Sequence, residues 1–380
     1  MPILNHWIHS ALLSLCVIIG SSLIIVARAT EKEPINNQVA HLLKKGETDL
    51  VLGHAELALP AFEQAANLEH AADIEMGILR SFMQLGEYRR ALAFAAHTAG
   101  AHQDEPGGSA LYAWLLHCGG QRTFAQQFLK EAQVRMPNEV LLGLTKKQLD
   151  TAAPIADGLL LEAPNRLAPY SYPDQPIPAQ AAVVGSALLV NAGKSALVPT
   201  VVIAHSREIF LRNGLGNTTR ATVQSQSQEL GLSLLRLDVA LPAQNGLVVP
   251  SRDAFPGSIA YAIDYVSSVK SDPAWPLLYQ GFLGMPDGAT SLRLLGIDIP
   301  DGQHGGPVLD GAGRLVGLIL PTTDKAQTGA KTRFVPISRL RQQFGELFGA
   351  ISEQPASAKI PMDEVYEKSL GQTLQVMTAP

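Results

Sequence analysis

Residues 302–306 place one imidazole among glycines: Gly302, Gln303, His304, Gly305 and Gly306. A second histidine, His205, precedes this segment by about a hundred residues. An imidazole can serve as general base for a serine or cysteine nucleophile, and it can itself attack an activated ester. Hydrolysis of an ordinary peptide also requires the hydroxyl or thiol, and an acid that orients the imidazole. The chemistry of His304 therefore depends on which side chains the fold brings to it.

Metal binding is the second chemistry open to these histidines. His205 and His304 could bind an ion together with Asp238, Asp253 or Asp264, although no His-x-His or His-x-x-x-His spacing is present. The first half of the chain contains further histidines without i,i+4 pairing, which we interpret as surface or satisfied side chains: His41, His54, His70, His97, His102 and His117. We therefore expect no metal site and no cofactor.

The composition excludes several classes of protein. The chain has 380 residues, 46% of them hydrophobic and 17% charged, and a formal net charge of −5. This length predicts two or three domains, and the negative charge gives no electrostatic reason to bind nucleic acid. The two cysteines are Cys16, within the N-terminal apolar segment, and Cys118. A chain that loses its N-terminus keeps only Cys118, which excludes an intrachain disulfide and a paired-cysteine zinc site.

The N-terminus is typical of an exported protein. Residues 11–27 carry no charged side chain, and Arg28 stands between Ala27 and Ala29 as in a small-x-small cleavage site. We interpret residues 1–29 as a signal peptide or an uncleaved membrane anchor. Either alternative predicts a bacterial-type periplasmic location, with possible membrane association through the N-terminus.

Residues 38–150 are rich in helix-forming residues and contain an internal repeat. Ala58, Ala91 and Ala125 follow one another at intervals of 33 and 34 residues, and a glycine precedes each of them. This pattern resembles the tetratricopeptide repeat, in which small residues let paired helices pack closely. The resemblance implies an α-solenoid of about three helix pairs that binds a protein or peptide partner. An unrelated bundle of amphipathic helices is the alternative.

Two further regions follow the repeat. Residues 151–180 contain many prolines and predict a semi-extended linker. Residues 181–350 change to short apolar runs separated by turn residues, which predicts an all-β barrel or sandwich. The predicted strands are residues 182–191, 196–204, 208–212, 232–239, 258–269, 291–297, 314–321 and 332–336.

This β region resembles a known protease family. Residues 302–310 and 313–318 are similar to the G-x-S-G-G-P…G-x-L-V-G-I segment of trypsin-like serine proteases. Residues 332–338 resemble the phenylalanine-centred strand that follows it in the bacterial high-temperature-requirement branch. Residues 185–190 and 232–237 resemble two earlier strands of the same family. The resemblance implies a chymotrypsin-like double β-barrel, so that the chain is a multidomain α and β protein.

The same resemblance implies that the catalytic triad is degenerate. The serine of the family falls on His304, its aspartate on Gly231 and its histidine on Val201. A rival register assigns the base to His205. In either register the nucleophilic oxygen and the orienting acid are missing, which predicts a pseudoprotease. Gly302, Gln303, His304, Gly305 and Gly306 form the equivalent of the oxyanion loop, which could still hold a peptide carbonyl or carboxylate.

The remaining residues leave two alternatives open. Residues 351–380 include a helix-and-strand pattern that resembles the start of a high-temperature-requirement protease domain; this strand either completes the barrel or belongs to a frayed tail. Trp275, between two prolines, either anchors a partner at the surface or covers one end of the barrel.

These patterns together predict an exported, non-catalytic adaptor. In this hypothesis the helical repeats bind a protein or peptide partner, and the triad-less barrel offers a second docking surface. The alternatives are an active trypsin-like serine endopeptidase with displaced catalytic residues and a structural subunit of an envelope complex.

Overall fold

Helices occupy the first half of the chain and strands dominate the second half. The computed structural model describes residues 35–150, 177–204, 206–242, 247–268, 271, 273–288, 291–300, 302, 304–321, 332–348, 351–352 and 358–379. The expectations for the N-terminal segment 1–29, for His205 and Gln303, and for most of the linker lie outside these residues. Within them, no helix combines the length and apolar character needed to cross a bilayer.

Within residues 35–150, seven helices follow one another, and each packs against the next one in the chain. They are Ile35–Leu52 (α1), Ala55–Ala66 (α2), Ala72–Gln84 (α3), Tyr88–Ala101 (α4), Pro106–Cys118 (α5), Arg122–Arg135 (α6) and Val140–Asp150 (α7). The repeated alanines Ala58, Ala91 and Ala125 are fully buried, as close helix pairing requires.

One turn geometry recurs at the end of α1, α3 and α5. Gly53, Gly86 and Gly120 have φ angles of 79°, 76° and 85°, in the left-handed region that side chains disfavour. In each turn the residue after the glycine donates its N–H to a carbonyl five residues earlier, at 2.8–3.0 Å. This is the Schellman arrangement that terminates helices. The helical half therefore consists of three equivalent helix-turn-helix pairs followed by α7.

The C-terminal half contains two closed barrels of six strands each, with antiparallel neighbours. The first barrel has the order β1-β14-β3-β4-β5-β2 and the second β10-β11-β12-β9-β8-β7. The strands are Ala182–Val190 (β1), Ser195–Pro199 (β2), Glu208–Asn213 (β3), Thr218–Ser227 (β4), Leu232–Leu237 (β5), Val249–Pro250 (β6), Ile259–Asp264 (β7), Leu277–Pro286 (β8), Arg293–Gly296 (β9), Pro307–Asp310 (β10), Leu315–Leu320 (β11), Arg333–Pro336 (β12), Ile351–Ser352 (β13) and Thr373–Ala379 (β14). Two short helices accompany them, Ile337–Phe344 (α8) and Met362–Ser369 (α9), and β13 pairs in parallel with β6.

The last strand of the chain is an internal strand of the first barrel. β14 lies between β1 and β3 and is antiparallel to both. Leu374 and Val376 on this strand are fully buried in the barrel core. Of the two alternatives left open by the sequence, the structure shows the strand that closes the barrel.

An aromatic cluster joins the helical half to the barrels. Trp275 is 3% exposed, which excludes the surface anchor considered from the sequence. Its ring centre lies 6.2 Å from that of Trp114 on α5 and 5.9 Å from that of Tyr88 on α4. The indole N–H donates to the carbonyl of Gly214 at 2.9 Å. Trp275 therefore bridges the helices and the first barrel.

Helix α9 forms the second part of this junction. The ring of its Tyr366 packs edge-on against Tyr88 at 4.5 Å, and its hydroxyl donates to the carbonyl of Pro276 at 2.6 Å. At the start of α4, the N–H and the Nε of Arg89 donate to the two carboxylate oxygens of Glu367, at 2.7 and 3.1 Å. The C-terminal segment thus belongs to both the barrel and the domain interface.

Candidate functional site

Gly305 and Gly306 allow the loop that contains His304 to pack closely against two barrel strands. Gly305 has φ +147°, and a Cβ added there would lie 2.1 Å from the carbonyl oxygen of Ser186 on β1. A Cβ on Gly306 would lie 1.8 Å from the carbonyl oxygen of Ile263 on β7. No side chain fits at such distances, so these glycines are required for the close approach. That approach places His304 beside the middle of β1 and the end of β7.

His304 forms a buried pair with the last residue of β7. Its Nδ1 lies 2.6 Å from Oδ2 of Asp264, and both side chains are buried. An ionised carboxylate only accepts hydrogen bonds, so Nδ1 carries the proton in this contact. An aspartate that holds the Nδ1–H of a histidine fixes the tautomer and the orientation of the ring.

A hydroxyl also reaches this pair, on the other side of the carboxylate. The Oγ of Ser186 donates to Oδ1 of Asp264 and accepts the N–H of Tyr265 at 2.8 Å. Ser186 is completely buried. Hydroxyl, carboxylate and imidazole therefore converge, in the order serine–aspartate–histidine.

This order differs from that of a catalytic relay. In a serine hydrolase the imidazole stands between the hydroxyl and the carboxylate, because it must take the proton from the attacking oxygen. Here Asp264 occupies the middle position, and the hydroxyl of Ser186 faces the protein interior. The hydrogen bonds of Ser186 tie β1 to the end of β7, which is a structural contribution.

The resemblance assigned the three triad positions to Val201, Gly231 and His304, and none of these residues carries a hydroxyl or a carboxylate. Thr200, the residue before Val201, donates its N–H to the carbonyl of Gly231 at 2.8 Å. This hydrogen bond makes Val201 and Gly231 near neighbours in the fold. Val201 is 51% exposed and Gly231 has φ +63° with no atom within 4 Å of an added Cβ. Pro199, two residues before Val201, would be 2.6 Å from a Cβ on Gly305. The three positions thus carry the isopropyl group of Val201, the backbone of Gly231 without a side chain, and the imidazole of His304.

A small cavity borders the Asp264–His304 pair. Its volume is about 150 Å³, and its walls include Tyr265, Tyr279 and Gly302. Burial raises the pKa of both tyrosines, in spite of the opposing charges of Arg212 near Tyr265 and Arg122 near Tyr279. Both phenols are therefore neutral at ordinary pH. The space suits one small group such as a carboxylate, since pockets for larger ligands have about 300–1,000 Å³.

The candidate metal partners of His304 are separated by the fold. Asp264 contacts His304, whereas Asp253 accepts from the N–H and hydroxyl of Ser338 at 3.1 and 2.7 Å. Asp238 follows β5 in the first barrel. Of the three aspartates that the sequence offered as metal partners, the structure places Asp264 in contact with His304.

The role of Ser186 was not recognised in the sequence. Ser186 and Asp264 are 78 residues apart, and Asp264 and His304 are 40 residues apart. No local motif joins such positions. A serine within an otherwise apolar strand was the one available signal, and a buried hydroxyl must find a polar partner.

Comparison with known proteins gives structural similarities only. No protein-family model and no curated protein matches the chain. Among solved structures, the HtrA-type protease AlgWS227A with decapeptide matches with a TM-score of 0.34 and 19% identity, over 42% of this chain and 51% of that one. The MamO protease domain from Magnetospirillum magneticum, in its apo form, matches with a TM-score of 0.33 and 18% identity, over 44% of this chain and 97% of that one. The chain thus spans about half the length of the first of these proteins, and at such TM-scores the similarity carries no conclusion about activity.

Proposed function

We propose that the chain is an exported, non-catalytic binding protein, a pseudoprotease of chymotrypsin-like double-barrel architecture with tetratricopeptide-like helix pairs. The observation that carries this proposal is the arrangement around His304. The position equivalent to the nucleophile holds an imidazole bound to Asp264, and the hydroxyl that shares this carboxylate belongs to the fully buried Ser186.

Ser186 fails both requirements of a nucleophile. Its proton goes to a carboxylate instead of an imidazole, and its oxygen also accepts the N–H of Tyr265. A substrate carbonyl must come within about 3–3.5 Å of the attacking oxygen, which a completely buried side chain does not permit. Moving Ser186 outward would leave the amide of Tyr265 without a partner.

A peptide carboxylate is the ligand we assign to the His304 cavity. The cavity of about 150 Å³ accepts one small group, and its polar wall includes His304, Ser267 and Asp264, next to Gly302 of the glycine loop. A fluorescent peptide with a free C-terminus should bind more tightly than its amidated form, and His304→Ala should remove this difference. Equal affinities of the two peptides for the wild-type protein would contradict the assignment.

The helical pairs offer the surface for a protein partner. A groove of about 580 Å³ follows the first helix of each pair, with Glu47 on α1, Met76 on α3 and Gly108 on α5. Asp73 and Glu105 add two carboxylates to its wall. This charge favours a basic peptide segment. A lysine-rich peptide should bind more tightly than a glutamate-rich one, and Asp73→Asn with Glu105→Gln should reduce the difference.

A protease assay tests the non-catalytic part of the proposal. Unfolded casein is incubated with the wild-type protein, with His304→Ala and with trypsin at the same molar concentration. We expect the wild-type protein and the variant to release no more peptide than buffer does. Hydrolysis by the wild-type protein that disappears in His304→Ala would refute the proposal.

The Asp264–His304 contact beside a cavity favours a hydrolase as the second candidate function. An oriented imidazole can activate a water molecule or attack an activated ester without serine. Hydrolysis of p-nitrophenyl acetate should then require both residues. A rate that is unchanged in Asp264→Asn and in His304→Ala would eliminate this candidate.

A further inference from the structure

Three histidines of the helical half surround one buried glutamate. His70 lies in the turn between α2 and α3, His97 lies on α4, and His102 caps the C-terminus of α4. Glu75, in the first turn of α3, stands at the centre of the group. His97 on α4 and His102 at its C-terminus are five residues apart, and His70 lies in a different element. This explains why the search for i,i+4 pairs predicted surface or satisfied side chains instead of a cluster.

All three imidazoles direct a nitrogen towards the carboxylate of Glu75. The Nε2 atoms of His70 and His97 lie 2.7 and 3.2 Å from Oε1, and the Nε2 of His102 lies 3.5 Å from Oε2. The rings of His70 and His102 are stacked, with their centres 4.9 Å apart. One ligand atom from each of His70, Glu75 and His102 can be chosen such that all three lie within 4.8 Å of one another.

The centre of the cluster is buried and contains unsatisfied atoms. The side chain of Glu75 is 5% exposed, and its Oε2 has no hydrogen-bond partner among the described residues. The Nε2 of His102, which faces this oxygen, has none within that part of the chain either. Buried polar atoms normally find partners, so a facing pair without a hydrogen bond points to a missing third group between them.

Pairing of charges alone does not account for this group. One carboxylate balances one imidazolium, so three protonated histidines at these distances would repel one another. Neutral imidazoles around an anionic carboxylate are the ligand set that borderline divalent cations prefer.

We propose that His70, Glu75 and His102 bind one divalent first-row transition-metal ion of the zinc type. Two imidazoles and one carboxylate provide three protein ligands of a tetrahedral site, whose fourth position is open to water or another ligand. His97 contacts Oε1 of Glu75 at 3.2 Å but lies outside this ligand set. The distance of 3.5 Å between the Nε2 of His102 and Oε2 of Glu75 matches the spacing expected between two tetrahedral ligands that each lie about 2.0–2.2 Å from one ion. The Nε2 of His70, 2.7 Å from Oε1, is at hydrogen-bond distance and would move outward when an ion binds. The ion would join the turn before α3 to both α3 and α4, and would thereby fix the second helix pair.

The site also differs in exposure between its two sides. The side chains of His70 and His97 are 65% and 56% exposed, whereas those of His102 and Glu75 are 16% and 5% exposed. An ion can therefore enter from the solvent side and reach the buried carboxylate. Because the side chain of His70 is exposed, His70→Ala should remove a ligand without disturbing the core.

Cobalt titration of the full-length chain tests the proposal. The chelator-treated protein is titrated with Co²⁺, followed by the visible d–d absorption of tetrahedral cobalt, and then with Zn²⁺. We expect one Co²⁺ per chain, displaced by one Zn²⁺. His70→Ala and His102→Ala should each weaken binding at least tenfold, while the exposed His41→Ala on α1 should bind as the wild type does.

Two outcomes would overturn the assignment. One is no saturable cobalt absorption in the wild-type protein. The other is a site that binds equally well in His70→Ala and His102→Ala, which would place the ion elsewhere. Circular dichroism shows whether the variants are folded, and Zn²⁺ should raise the melting temperature of the wild type and of His41→Ala but not that of His70→Ala.

Discussion

The guanidinium carbon of Arg122 lies 4.1 Å from the centre of the Tyr279 ring. Arg122 is the first residue of α6, and its Nη2 also donates to the carbonyl of Leu278 at 3.0 Å. Tyr279 belongs to β8 and lines the cavity next to His304. A single side chain therefore connects the helical half to a wall of the candidate site, so the two halves should stabilise one another.

Replacement of Arg122 measures this coupling. Arg122→Ala removes the cation–π contact, about 0.5–2 kcal/mol, and a charged hydrogen bond of about 1.5–3 kcal/mol. We expect urea unfolding to show a loss of about 2–5 kcal/mol. The exposed Arg135→Ala at the other end of α6 should have little effect. Equal stability of the two variants would show that Arg122 does not couple the halves.

Burial of His117 predicts a stability that depends on pH. Burial, assisted by the charge of Arg122, lowers the pKa of His117 from 6.5 to about 4. The unfolded chain therefore binds a proton at a higher pH than the folded protein does. The contribution of His117 is complete above pH 6.5 and is lost as the pH falls towards 4, by about 3 kcal/mol in total.

His117→Leu isolates this contribution, because leucine does not titrate. Its free energy of unfolding should fall less steeply between pH 6.5 and 4 than that of the wild type. The matched control is His41→Leu at an exposed position of α1, which should keep the wild-type slope. Parallel curves for the wild type and His117→Leu would contradict the burial of a neutral histidine.

Ser186→Ala separates a structural hydroxyl from a nucleophile. The variant leaves the amide of Tyr265 and one oxygen of Asp264 without their partner, which costs about 1–3 kcal/mol. We expect a lower melting temperature. The control is Ser267→Ala, an exposed serine beside the same cavity, with an unchanged melting temperature. A fully stable Ser186→Ala variant would argue against the hydrogen-bonded role of this serine.

Leu374→Ala tests the position of the C-terminal strand. A fully buried leucine in a barrel core contributes strongly, and its truncation costs about 2–5 kcal/mol. Thr378→Ala, at a half-buried position of the same strand, should cost much less. Both are measured by urea unfolding of the full-length protein. A small and equal effect of both changes would indicate a frayed tail.

Local patterns in the sequence predicted the helix pairs and several strands. The glycine and alanine spacing reports a turn and a close helix contact, both of which are local features. Strand β4 was missed because residues Thr222–Gln226 on it are exposed and mostly polar, so no apolar run marks it. Pairing with β3 and β5 on its two sides forms this strand, and no local pattern signals that pairing.

The two polar clusters could not be predicted from the spacing of their residues in the sequence. Ser186, Asp264 and His304 meet because the glycine loop packs on two strands of different barrels. The imidazoles around Glu75 meet because a turn and the end of α4 face the start of α3. Each arrangement depends on tertiary packing between elements that are distant in sequence.

Intact-mass analysis after treatment with a fluorophosphonate tests the central claim most directly. The probe phosphonylates a serine that an adjacent base activates, and the claim is that the Ser186–Asp264–His304 order provides no such serine. The wild-type protein should keep its mass under conditions that label trypsin completely. One covalent adduct per chain, absent from Ser186→Ala or from His304→Ala, would contradict it.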